Sequence, residues 1–160
     1  MAQSPKTVET SSTTRRETIW RVALICWVLF IWGHSLLSGE QSGSESGFFL
    51  TLLRPVFEAF GMTDLDLMHL IIRKCAHFTE YMILGILATR TLRPSVRGPR
   101  VALIVFLLLW IGVPCIDETI QSFVPDRGPA VTDALLDMSG FATGFLLTKL
   151  VLTLAARRRE

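Results

Sequence analysis

His77 and Glu80 stand three residues apart in RKCAHFTEYMILG, and Asp117, Glu118 and Gln121 stand together in DETIQSF. Imidazoles and carboxylates are the groups that most often move protons in enzymes. His77, Glu80, Asp117 and Glu118 are therefore candidate catalytic residues for acid–base chemistry. The same mixture of nitrogen and oxygen donors also suits a divalent cation, but no spacing in the sequence specifies a metal or any cofactor. Arg73, Lys74, Tyr81, Gln121, Arg127 and Asp133 flank these groups and are candidate substrate-binding residues. Arg73, Lys74 and Arg127 suit phosphate or carboxylate. A second role stays open for the whole set, an internal hydrogen-bond network that ties helices together without turnover. HxxEY lacks the second histidine of the HExxH zinc motif, and no serine lies in a GxSxG context.

The elements that must position these residues are apolar and long. Ile19 to Leu37, IWRVALICWVLFIWGHSLL, has the roughly 20 residues that cross a bilayer. Trp20 and Trp32 fall towards its ends, as interfacial anchors do. It is too long for a signal-peptide core, and no small-residue cleavage site follows closely. Ser38 to Gly47 is expected to break the helix. Phe48 to Phe60 is apolar but short, and contains Arg54, Pro55 and Glu58, which predicts an interfacial or re-entrant helix. Further spans are expected at about Arg73 to Thr91, Val101 to Ile116 and Ala134 to Leu154. Pro114 is placed to kink the third. Gly140 and Gly144 form a small-xxx-small pair that favours close helix packing, and Gly85 is placed for a similar approach.

Arginines cluster before the first span, between the second and third, and after the fourth, with Arg73 and Lys74 as the exception. Four crossings put the three clusters on one side, and the positive-inside rule makes that side the cytoplasm. On that topology the polar groups named above fall towards the outer leaflet. Ionisable groups at membrane depth usually face other helices or a cavity. His77, Glu80, Tyr81 and Leu84 share a helix face, and Asp117 and Gln121 share another. Asp133 and Asp137 are an i,i+4 pair of like charges, for which Arg127 is the expected counter-charge.

Composition agrees with a membrane protein. Of 160 residues, 50% are hydrophobic and only 19% charged. Soluble domains average about 25% charged. A net charge of +2, with no broad basic face, excludes a nucleic-acid binder. Three cysteines without a CxxC argue against a disulfide framework and predict buried thiols.

The polar blocks resemble the VanZ-like membrane proteins. Ile72 to Leu87, IRKCAHFTEYMILGIL, is similar to RKxAHFxEYxxLG. Asp117 to Gly144, DETIQSFVPDRGPAVTDALLDMSGFATG, is similar to DExxQxFxPxRxxxxxDxxxNxxGxxxG, with Asp137 in place of a frequent asparagine. Ser35 and Ser42 fit a weaker FSxQxxxxS pattern in which Leu37 replaces the glutamine. The resemblance implies a small multi-pass protein of the bacterial cell membrane, associated in some members with glycopeptide antibiotic resistance. It supplies no reaction.

The expectation is an all-α polytopic membrane helix bundle with four transmembrane helices and a short interfacial or re-entrant helix in the first outer loop. Residues 1–17 are expected to form a disordered cytoplasmic tail, 18–156 a single VanZ-like membrane domain and 157–160 a basic cytoplasmic tail. The expected function is an outward-facing polar site that binds or modifies a cell-envelope component, a lipid-linked or anionic headgroup. The alternative is a non-catalytic membrane protein supporting a partner complex or envelope-antibiotic tolerance. The expected partner is a membrane lipid or envelope precursor, with no nucleic acid; a homo-oligomer or a membrane-protein partner stays open.

Overall fold

Without water to pair with, backbone in lipid satisfies its own hydrogen bonds, and a helix does so within one segment. The computed structural model describes residues 5–37, 39–92, 98–125 and 130–158, and every element among them is helical. They are α1 (Pro5–Ser35), α2 (Gly39–Ala59), α3 (Leu65–Thr91), α4 (Pro99–Gln121) and α5 (Val131–Arg157). α4 is continuous but contains a π-helical segment, Leu108–Gly112.

Among the described residues three helices are long and apolar enough to cross a membrane: Arg15–Ser35 within α1, Pro99–Gln121 and Val131–Arg157. The sequence predicts a fourth crossing in α3. That helix has the length, with 27 residues, but Arg73, Lys74, Glu80 and Arg90 interrupt its apolar character. A multi-pass all-α membrane bundle is thus established on three candidate spans.

Backbone helicity begins at Pro5, inside the segment expected to be a disordered tail. A correction concerns Ser38 to Gly47. α1 ends at Ser35, after which Leu36 and Leu37 donate to the carbonyls of Gly33 and His34, and the backbone is helical again from Gly39. The expected break is therefore the start of α2, whose later turns pack on α3. The short Phe48–Phe60 helix is thus part of a 21-residue helix that is not apolar enough to be a candidate span.

Helix directions follow from the contacts. α1 runs antiparallel to α3: the Trp27 indole donates to the Glu80 carbonyl at 2.9 Å, and the Thr91 hydroxyl donates to the Trp20 carbonyl at 3.2 Å. The Arg90 guanidinium lies 5.7 Å from the centre of the Trp20 ring. α4 runs antiparallel to α5, with Trp110 donating to the Met138 carbonyl at 3.0 Å and Phe106 against Phe141 and Phe145 at 5.3 and 5.0 Å. α3 and α5 run parallel, with Phe78 and Met82 against Gly140 and Gly144. A Cβ added to Gly85, Gly140 or Gly144 would collide with the backbone carbonyl of Phe141, Phe78 or Met82 respectively. The small-residue positions thus serve a contact within the chain.

Leu24, Ile31, Tyr81, Leu84, Ala88, Val113 and Phe141 form the core between these helices. Much of the remaining apolar surface, including Ile25, Leu29, Leu103, Leu146 and Leu150, points outward, as lipid permits. The cysteines follow the same logic. Cys26, Cys75 and Cys115 are free and exposed, not buried as expected, because an apolar position in a membrane helix can face lipid instead of a core.

Candidate functional site

The end of the bundle opposite the Trp20–Arg90 contact brings together His77, Asp117, Asp133 and Asp137. α3 starts at Asp64, whose carboxylate caps the N–H groups of Asp66 and Leu67 at 3.0 and 3.1 Å. Three turns later it presents Lys74 and His77 to α5. Lys74 is hydrogen-bonded to Asp133, and His77 Nδ1 lies 3.6 Å from Asp137 Oδ1.

α4 delivers Asp117 to the same place. The π segment precedes Pro114, which has no N–H to give and would crowd the carbonyl four residues back in a regular helix. Val113 donates to Leu108, a five-residue step that widens the turn just before the proline. Val113–Gln121 then proceeds as ordinary helix with Asp117, Glu118 and Gln121 buried. Asp117 is fully buried: the Ser35 hydroxyl donates to its Oδ1 and the Gln121 amide to its Oδ2 at 3.1 Å. Glu118 faces the other way and accepts from the Ala130 N–H at 2.8 Å, fixing the chain where α5 begins.

His77, Asp117 and Asp137 converge. One donor atom from each lies within 4.8 Å of the others. Both aspartates are inaccessible to solvent, and neither oxygen of Asp137 has a hydrogen-bond partner among the described residues. Tyr81, one turn beyond His77, has a buried hydroxyl that is also unpartnered. Such unsatisfied buried groups are uncommon in native folds.

His77 also lines a cavity of about 520 Å³ between α1, α2 and α3. Its walls are chiefly apolar, with Trp27, Phe30, Phe49, Leu53 and Ile72 among them. Its polar groups include Arg73, His34 and Glu80; the last two approach to 3.2 Å. Arg73 has no hydrogen-bond or ionic partner among the described residues.

The residues singled out in the sequence therefore separate. His77 and Asp117 share one cluster. Glu80 is turned to His34 on the cavity side. Glu118 anchors a helix start. Arg73 lines the cavity, while Tyr81 is buried beside His77 and Asp117. Lys74 and Asp133 are partners of each other, and Gln121 is tied to Asp117. Arg127, the expected counter-charge for the α5 aspartates, lies outside the described residues. Sequence reasoning left Asp137, Ser35 and His34 out of the site. The signal for Asp137 was present, a lone acid in the apolar run ALLDMSGF. Nothing local to Ser35 or His34 names a partner 40 or more residues away.

No curated protein and no solved structure gives a significant match to the chain. One family model does, described as VanZ/LLP1, and it matches residues 20–152. The match spans every helix that builds the cluster and the cavity, so the chain belongs to the VanZ/LLP1 family of membrane proteins.

Proposed function

We propose that this protein binds a lipid-linked or anionic headgroup component of the bacterial cell envelope in the cavity between α1, α2 and α3. The observation that carries this reading is Arg73, a cation with no protein partner among the described residues, at the wall of a chiefly apolar cavity. Apolar walls with a few placed polar groups are the usual make-up of a small-molecule site. The aromatic and leucine side chains suit an acyl or prenyl chain. Arg73 and His77 suit its charged head, and the guanidinium can grip phosphate or carboxylate through two parallel hydrogen bonds. His77 and Asp117 would supply proton transfer if the bound component is also modified.

The reading includes a topology. α3 makes a fourth crossing, with Glu80 turned to His34 and its other polar groups set against neighbouring helices. The arginine clusters place both termini in the cytoplasm and the cavity near the outer leaflet. The parallel packing of α3 on α5, a candidate span, supports this.

The test is purification of the full chain in mild detergent, followed by untargeted lipid analysis of the bound material. An anionic or lipid-linked species enriched over bulk membrane lipid, and depleted in Arg73→Gln, is the expected result. A bound profile equal to bulk lipid in both proteins would refute it.

One observation favours a second reading. Lys74 is paired with Asp133, Gln121 with Asp117, and one oxygen of Glu118 with the Ala130 N–H, as members of a structural network would be. On that reading the protein is non-catalytic and supports a partner complex or envelope-antibiotic tolerance. Cross-linking through the exposed face of α2, at Phe48 or Leu52, would then capture one defined membrane protein.

A further inference from the structure

We propose that His77, Asp117 and Asp137 bind a single divalent transition-metal cation in the centre of the bundle. The three residues come from three helices, α3, α4 and α5, and offer one donor atom each within 4.8 Å of one another. Asp137 points independently to a missing ligand. It is completely buried, and among the described residues both of its oxygens lack a hydrogen-bond partner. Burying a carboxylate without compensation is among the most unfavourable arrangements a fold can hold. Here two carboxylates are buried together, and among the described residues the ionisable base that approaches Asp137 is the imidazole of His77.

The distances suit an ion better than a direct bond. His77 Nδ1 and Asp137 Oδ1 are 3.6 Å apart, too far for a good hydrogen bond. Metal bonds of about 2.1 Å place neighbouring ligand atoms about 3.0–3.4 Å apart in octahedral or tetrahedral geometry. A small side-chain rotation closes the difference. Asp117 has the supporting contacts that metal-ligating carboxylates show: the Ser35 hydroxyl holds one oxygen and the Gln121 amide the other. Each oxygen keeps a lone pair for an ion.

One imidazole and two carboxylates favour manganese, iron or zinc over calcium or magnesium, which prefer all-oxygen sites. Three protein ligands leave at least one coordination position open, as in catalytic metal centres. Since His77 also lines the cavity, an ion held by it adjoins the compartment proposed for the headgroup. The metal site rests on the geometry of the three side chains and stands whether or not that cavity takes a lipid.

The test uses the full chain in detergent, stripped with a chelator and titrated separately with Mn²⁺ and Zn²⁺. The folded protein is expected to retain one ion per chain after desalting, with a higher melting temperature. Asp117→Asn and Asp137→Asn should each weaken binding about tenfold or more, since changing even the outer partners of metal ligands costs about 10–100-fold. Glu58→Gln, on the exposed face of α2, should bind as the parent does. If the aspartate variants do not fold, pulsed electron paramagnetic resonance on the Mn²⁺-loaded parent decides the matter. Coupling to an imidazole nitrogen that persists in His34→Gln and His69→Gln supports the site. No retained ion, or a manganese spectrum without nitrogen coupling, overturns it.

Discussion

Asp117 shows how much a single residue can say before its neighbours are known. Its type and its place at the end of an apolar run mark it as a group that must turn inward, and it is fully buried. Its partners could not be read, because Ser35 lies 82 positions away on another helix. Asp137 was legible as an anomaly in the last apolar run, but its convergence with His77 depends on how α3 lies on α5. Ser35→Ala removes a donor from a buried carboxylate, and the expected loss is about 1–3 kcal/mol. Thermal unfolding in detergent reads this as a lowered melting temperature. Thr79→Ala, an exposed hydroxyl bonded only within its own helix turn, should leave the melting temperature within error of the parent. A second expectation separates two carboxylates that are adjacent in sequence. Asp117→Asn should abolish any envelope phenotype that depends on modification of the bound component, while leaving headgroup retention and most of the folded yield. Glu118→Gln should act mainly on stability, through the weakened contact to Ala130. The reverse pattern would show that Glu118 is the functional member.

Among the elements, α3 and α5 carry the closest contact in the bundle, and glycines make it possible. The GFATG signature predicted close packing; whether the partner was internal or a second copy could not be decided from spacing, which describes one helix face and not what meets it. Gly144→Ala should lower thermal stability, since the added methyl group meets the Met82 carbonyl and the helices must part. Overpacking of this kind costs about 1–3 kcal/mol. Gly33 is the fitting control: it is helical, with no atom within 4 Å of an added Cβ. Gly98 would be a poor one, because its φ of 75° strains any other residue. Equal melting temperatures for Gly144→Ala and Gly33→Ala would mean that α3 and α5 do not pack this closely in the membrane. The α2 boundary was missed for a related reason. Glycine and serine mark a break only when nothing downstream holds the helix, and the apolar turns of α2 are held by α3.

For the molecule as a whole, helix content and membrane character were readable from long apolar runs, since lipid imposes a strong length rule. The crossing number was less readable, because α3 mixes spanning length with charges whose partners sit on other helices. The packing arranges Trp20, Thr91 and the end of α5 at one end of the bundle and the polar cluster at the other. Reporter fusions after Thr14 and after Glu160 should both read cytoplasmic, and a fusion near Ser44 should read external. One opposite result at any of the three positions breaks the four-crossing topology. A split result, with Thr14 and Glu160 on opposite sides, would make α3 a helix that packs on the spans without crossing.

The π segment of α4 behaves as a one-residue insertion absorbed within a continuous helix. Each residue turns an α-helix by about 100°, so removing one from Leu108–Gly112 would rotate the two halves of α4 against each other by that angle. Trp110 and Phe106 clamp the first half to α5, and Ser35 and Ala130 hold the second. A chain shortened there, by deletion of Ile111 for example, cannot keep both clamps. It must either lose the aromatic seam or swing Asp117 out of the bundle centre. The length of this stretch, rather than the identity of its residues, is thus what brings an aspartate from α4 into reach of His77.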